Sequence, residues 1–187
     1  NKGEVLALAG CDLLTISRAD AEETRLDVEE LVLRDLLEQV IASLTPAATS
    51  RNVALTLDET DPELRLDLRL DGDREQLERV FSNLISNAVK FTPPHGTVRV
   101  EASLADPADG AAPMIRVCVR DTGIGIPPED MPKLFSRFFR ASNATAAAIP
   151  GTGLGLSIVQ DIVNKHGGKL SISSEMGQGT CAEVMLP

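Results

Sequence analysis

Apolar residues along this chain repeat with two different periods, and the switches between them divide it into helices and strands. Between residues 73 and 92, Leu77, Val80, Phe81, Leu84, Ile85, Ala88 and Val89 recur at the three-four spacing of an amphipathic helix. Asp73 and Gln76 predict a capping box at its start, and Thr92-Pro93-Pro94 ends it. Leu33, Leu36, Leu37, Val40 and Ile41 predict a second such helix over 28–44, and a third is expected over 154–166, closed by Gly167. Residues 5–21 carry Leu6, Leu13 and Ile16 near heptad spacing and read as the end of a longer helical element. Leu64, Leu66, Leu68 and Leu70 alternate with charged residues, which predicts a strand with one buried face. Further strands are expected at 53–57, 97–104, 114–121, 169–174 and 181–186, the second and third of these forming an antiparallel hairpin. Residues 126–153 lack a long periodic run and are rich in Pro, Ala, Asn and Ser, so a mobile segment is expected there. Mixed strands and helices with few crossovers predict an α/β sandwich, its sheet covered by helices on one face.

The polar positions of the 73–92 helix carry chemistry of their own. Asn83, Asn87 and Lys90 fall at i, i+4 and i+7, within roughly 60° of one another beside the apolar stripe. Asparagine is a mediocre helix former, so two in mid-helix call for a reason. Two amide oxygens and one ammonium on a strip suit a hydrated Mg²⁺ and a phosphate; an ordinary wet helix face is the plain alternative.

Composition narrows the partners. A net charge of −10 argues against nucleic acid and against an anionic membrane as partner, and any polyanion must be held locally against the overall field. No apolar run reaches the ~18 residues of a membrane span, so this domain is expected to be cytoplasmic even where its parent is membrane-anchored. Three cysteines, Cys11, Cys118 and Cys181, lack metal spacing and are expected to be reduced, the latter two as small sheet residues. His95 lies in a turn and His166 closes a helix, and both read as structural.

Two glycine motifs follow. Asp121-Thr122-Gly123-Ile124-Gly125-Ile126 comes directly after a strand, where glycines admit a planar ligand and a carboxylate can accept from an amine. Gly151-Thr152-Gly153-Leu154-Gly155-Leu156 opens a helix, whose unpaired amides suit an anion. It is neither a Walker A loop nor a dinucleotide fingerprint. Singly, each motif also reads as a plain turn or a hinge. Together with Asn83, Asn87, Lys90-Phe91 and the run Phe135, Phe138-Phe139, they stand in an order and spacing that resembles the ATP-binding domain of sensor histidine kinases, over about residues 28 to 187.

The resemblance implies a Bergerat fold, a two-layer sandwich with a flexible ATP lid before Gly151. It implies that Asp121 accepts the adenine amino group and that Gly123, Gly125 and Ile126 line the base pocket. Phe91 would sit near base and ribose, and Thr180 would help hold the base through water. Asn87, with Asn83, would hold Mg²⁺, Lys90 would neutralise phosphate, and Gly151, Thr152, Gly153, Leu154, Gly155 and Leu156 would present the phosphate-binding loop. Arg140 is the candidate phosphate contact from the lid, ahead of Arg137. The phenylalanines would clasp the lid to the body of the domain. Hydrolysing relatives typically place a glutamate where this chain has Asn83, which favours transfer to a histidine over hydrolysis. That histidine would lie on a dimerising, phosphoacceptor helical domain, of which residues 1–27 resemble only the tail. A response regulator downstream and a homodimeric full-length protein are further implications. A Bergerat-fold ATPase or a non-catalytic nucleotide-binding module is the alternative.

Overall fold

The computed structural model describes residues 25–58, 68–105 and 112–187. The helix expected at 5–21, most of the 1–27 segment, and Leu64 and Leu66 lie outside them. In chain order the elements are β1 (Val28–Val32), α1 (Leu33–Ser50), β2 (Ala54–Asp58), β3 (Arg69–Asp73), α2 (Arg74–Phe91), β4 (Thr97–Ala105) and β5 (Met114–Asp121). A 3-10 turn (Met131–Lys133), α3 (Ser142–Ala146), α4 (Gly155–Lys165), β6 (Lys169–Glu175) and β7 (Gly179–Leu186) follow.

Five strands form one mixed sheet in the order β2-β4-β5-β7-β6, with β2 parallel to β4 and the other neighbours antiparallel. The expected hairpin is the β4–β5 pair, in which Val98 faces Asp121. Helices α1, α2 and α4 pack through Leu36, Leu37, Phe81, Ile85, Val159 and Val163 onto Val98, Val117 and Val184, forming a single core under one face of the sheet. That is the α/β sandwich expected. No helix among the described residues is long and apolar enough to cross a membrane.

Helix α2 buries all seven of its apolar stripe residues. Each is worth about 1.5–3 kcal/mol of burial, so this face fixes the rotation of the helix and thereby aims its polar strip. The start is capped by Asp73, whose Oδ1 accepts from Gln76 N at 3.1 Å. The reciprocal half of a capping box is missing. Gln76 Nε2 donates to Asp73 Oδ2, and the Asp73 backbone N–H donates instead to His166 Nε2 at 3.0 Å. Gly167, at φ +71, follows the end of α4 as expected of a C-terminal glycine.

Three boundaries depart from the sequence reading. Residues 28–32 are not the first turns of α1 but a strand paired antiparallel with β3 in a separate two-stranded ribbon. Val28, Glu29 and Glu30 fit a helix locally, but the partner that makes them a strand lies some forty residues on, from Arg69 to Asp73. Helix α1 runs on through Pro46 to Ser50 instead of stopping at Leu44. Pro46 removes one helical N–H, while buried Ala48 anchors the last turn and accepts from Arg51 N and Val53 N. Finally, among the described residues the strand β3 runs from Arg69 to Asp73, three residues past the end of the leucine alternation, with Leu70 buried.

Candidate functional site

A cavity of about 560 Å³ opens between α2, the ends of β5 and β7, and residues 126–153. Its first end is built by the sheet. Asp121 closes β5 and is only 8% exposed. Its Oδ1 accepts from Gly123 N at 2.7 Å and from Thr180 N at 3.1 Å, and Oδ2 accepts from no group among the described residues. Burial pushes this carboxyl above the usual carboxylate range, against the pull of the two amides. Gly179, at φ +113, permits the arrangement, because a Cβ there would lie 1.9 Å from the Asp121 carbonyl oxygen. The bare backbone lets β7 start against the end of β5 and delivers the Thr180 amide to Asp121. Val119, Ile172 and Ala182 from the sheet, with Leu84 and Ala88 from α2, supply apolar walls suited to a planar base.

The second end is polar. Asn83 Nδ2 donates to Arg79 O at 2.8 Å, leaving Oδ1 outward, 3.0 Å from where a Cβ at Gly155 would stand. Lys90 Nζ donates to Asn87 Oδ1 at 3.2 Å, sits 4.5 Å from the Phe91 ring centre, and lies 3.3 Å from a Cβ built at Gly151. Residues 83, 87 and 90 therefore meet the second glycine motif directly. Burial, followed by the like charges of Arg140 and Arg51, holds the Lys90 ammonium below its ordinary pKa, and no carboxylate among the described residues pairs with it. An uncompensated cation of this kind favours an anion. Helix α4 begins beside Asn83 and Asn87 with no side-chain cap, so its first amides add positive potential at this end.

The segment 126–153 roofs the cavity. Asp130 accepts from Ser142 N at 2.7 Å and Ser142 Oγ at 2.8 Å, bonds that hold its carboxyl below the usual range. Asn143 Nδ2 donates to Gly125 O at 2.8 Å, tying the roof to the first glycine motif. Arg140 lines the cavity and donates to Ile149 O. The expected phenylalanine clasp is only partly formed. Phe139 lines the cavity, but Phe138 is 64% exposed at φ +65, its N–H bonded to Gly153 O. Its left-handed backbone turns the ring outward and away from the body.

Asn83, Asn87, Lys90, Phe91, Asp121, Gly125, Ile126, Arg140, Gly151, Thr152, Gly153, Gly155, Leu156 and Thr180 all line this one cavity. Gly123 and Leu154 do not. Gly123 lies behind Asp121, with no room for a side chain between the Asp121 carboxylate and Phe91 O, and Leu154 is buried as an apolar anchor for the start of α4. The sequence reading missed Asn143 and the apolar walls. Strand alternation could have found Val119, two residues before Asp121, and Ala182, two after Thr180. Nothing local marks Asn143.

Residues 72–187 match the family described as histidine kinase-, DNA gyrase B-, and HSP90-like ATPase. The chain is 36% identical over 172 residues to the sensor protein GacS of Pseudomonas syringae pv. syringae, covering 90% of this chain but only 18% of that protein. Among solved structures, full-length ShkA in complex with AMPPNP superposes with a TM-score of 0.76 at 29% identity, over 94% of this chain and 34% of that one. The histidine kinase ThkA in complex with the response regulator protein TrrA gives 0.75 at 25% identity, over 97% and 48%. The chain thus spans less than half the length of each of these proteins. With its cavity enclosed by the matched residues, the chain belongs to the histidine kinase-, DNA gyrase B- and HSP90-like ATPases, as an ATP-binding domain of the sensor-histidine-kinase type.

Proposed function

We propose that this domain binds Mg-ATP in the cavity and, in the whole protein, presents its terminal phosphoryl group to a histidine on a dimerising helical domain. The observation that carries this reading is the pairing of opposite chemistries in one cavity: an acceptor among apolar walls at one end, uncompensated positive potential at the other. Asp121 Oδ2 suits the exocyclic amine of adenine and rejects the carbonyl that guanine carries at that atom. Lys90, Arg140 and the first amides of α4 suit the phosphates. Asn87 and Asn83 fit a cation that stays bound mainly to phosphate and water, and no cluster of three or more His, Cys, Asp or Glu among the described residues offers another site. When bound, such an ion neutralises charge on the transferring group.

Asn83 supports the choice of acceptor. An amide cannot take a proton, so it cannot activate water, whereas a neutral imidazole attacks without a base. The work left to the domain is positioning and electrostatics. Neither histidine of the domain suits the acceptor role. His166 is buried, with Nε2 accepting from Asp73 N and Nδ1 bonded to Ile162 O at 2.9 Å; His95 is held in a turn at φ +69. The domain alone is therefore expected to bind ATP without phosphorylating itself. Residues 1–27 would be the tail of the helical domain, a homodimer the state of the full protein, and a response regulator the next acceptor, as the ThkA complex supports.

The test is titration with a fluorescent ATP analogue, since the chain has no Trp or Tyr. Binding is expected, and Asp121→Asn should weaken it about thirtyfold, ~2 kcal/mol, because the amide nitrogen would face the adenine amine. Adding the missing helical domain with labelled ATP should yield phosphohistidine. Binding without phosphohistidine would leave a non-catalytic nucleotide module. Steady phosphate release by the domain alone, abolished by Asn87→Ala, would make it an ATPase.

A further inference from the structure

The sheet face turned away from the helices carries two thiols that nucleotide binding does not use. Val117 and Val119 on β5, and Ala182 and Val184 on β7, belong to the core, so strand alternation sends Cys118 and Cys181 to the opposite face. Cys118 is in register with Glu183 and Cys181 with Arg120, which makes the cysteines a diagonal pair on adjacent antiparallel strands. Their Sγ atoms are 2.6 Å apart, only about 0.6 Å beyond a disulfide bond length. Cys118 is fully buried and Cys181 partly exposed. The Cys118 thiol bonded to it, opposed by burial and helped by Arg120, brings the Cys181 thiol down to about 7, while the same contact drives Cys118 upward. An accessible thiolate backed by a second thiol in contact is the arrangement of a redox site.

We propose that Cys118 and Cys181 form a dithiol that hydroperoxides close to a disulfide. The Cys181 thiolate attacks a peroxide oxygen. With hydrogen peroxide the O–O bond breaks, the departing hydroxide takes up the proton that Cys181 released and leaves as water, and Cys181 carries a sulfenic acid. The Cys118 sulfur then attacks the Cys181 sulfur, the S–O bond breaks and a second water leaves. In sum, two thiols and one hydrogen peroxide give one disulfide and two waters. Cys181 directly follows Thr180, and Cys118 lies three residues before Asp121, so the cross-link braces the strand pair that holds the first end of the cavity.

The experiment uses the whole chain as Cys11→Ser, treated with equimolar hydrogen peroxide and followed by intact mass, maleimide labelling after denaturation in urea, and thermal unfolding. Expected are a monomer 2 Da lighter, loss of both labelling sites, and a Tm higher by about 10 °C, reversed by dithiothreitol. The Cys118→Ser variant, lacking the resolving thiol, should instead hold a trappable sulfenic acid at Cys181. Monomer 16 or 32 Da heavier in the Cys11→Ser chain, disulfide-linked dimers, or two thiols that stay reactive would each overturn the proposal.

Discussion

The two ends of the cavity are built by opposite means. At the Asp121 end, the contacts join residues far apart in sequence: Thr180 N to Asp121 Oδ1, Ile124 N to Phe91 O, Gly177 N to Ile124 O. The first is anchored in the sheet, the second in α2, and the third ties the β6–β7 turn to the first glycine motif, so the acceptor is preorganised before any ligand arrives. At the Lys90 end, the roof bonds mostly to itself, as in Ser142 to Asp130 and Phe138 to Gly153, and reaches the first glycine motif through Asn143. On the proposed reading, recognition of a base falls to the stiff end, and phosphate would be held at the end with few long-range ties.

The contrast can be broken most forcefully at Gly179. Gly179→Ala sets a methyl against the Asp121 carbonyl in a left-handed conformation, and should cost about 3 kcal/mol of stability in urea unfolding. Unchanged stability would mean that the β5–β7 junction yields and the stiff end is not stiff. Next in size, Lys90→Ala should weaken a triphosphate about tenfold, ~1.4 kcal/mol, and leave adenosine affinity unaltered, measured by calorimetry. The wild-type protein should show the same divide with pH. The Lys90 ammonium is held below its ordinary 10.5, so triphosphate affinity falls as pH rises through that lowered value and adenosine affinity does not. Equal losses for both ligands would merge the two ends into one. The smallest effect is expected at the roof. Asn143→Ala removes the bond to Gly125 O and should lower nucleotide affinity about fivefold, ~1 kcal/mol, with thermal stability little changed. A large drop in Tm would show the roof to be part of the core.

Legibility in the sequence follows the same divide. The α2 stripe, the Asp73 cap and the β4–β5 hairpin were readable because helix and strand periods are local signals, and every residue on the polar strip fell at the cavity. The β1 strand was not, since Glu29 and Glu30 are good helix residues whose strand pairing is decided by Gly72 and Asp71 across the ribbon. Continuation of α1 past Pro46 was hidden for a similar reason: the burial of Ala48 is a tertiary fact. At the site, Asp121 and the glycine runs were legible as motifs, while the motif alone does not say that Gly123 and Leu154 lie off the cavity lining. Asn143 lay in a segment of Ala, Ser, Thr and Asn where nothing local separates a tie from filler.

The junction at Asp73 has a mechanical consequence. Its carboxylate caps α2 and also takes the backbone N–H of Asp27 at 3.1 Å, while its own N–H is held by His166 just beyond α4. Chain arriving from the amino-terminal side is therefore knotted at one point to both helices that border the ligand cavity. Asp27, the start of α2 and the end of α4 thus share one hydrogen-bonded junction that lies outside the five-stranded sheet, so a displacement of Asp27 would act first on the start of α2.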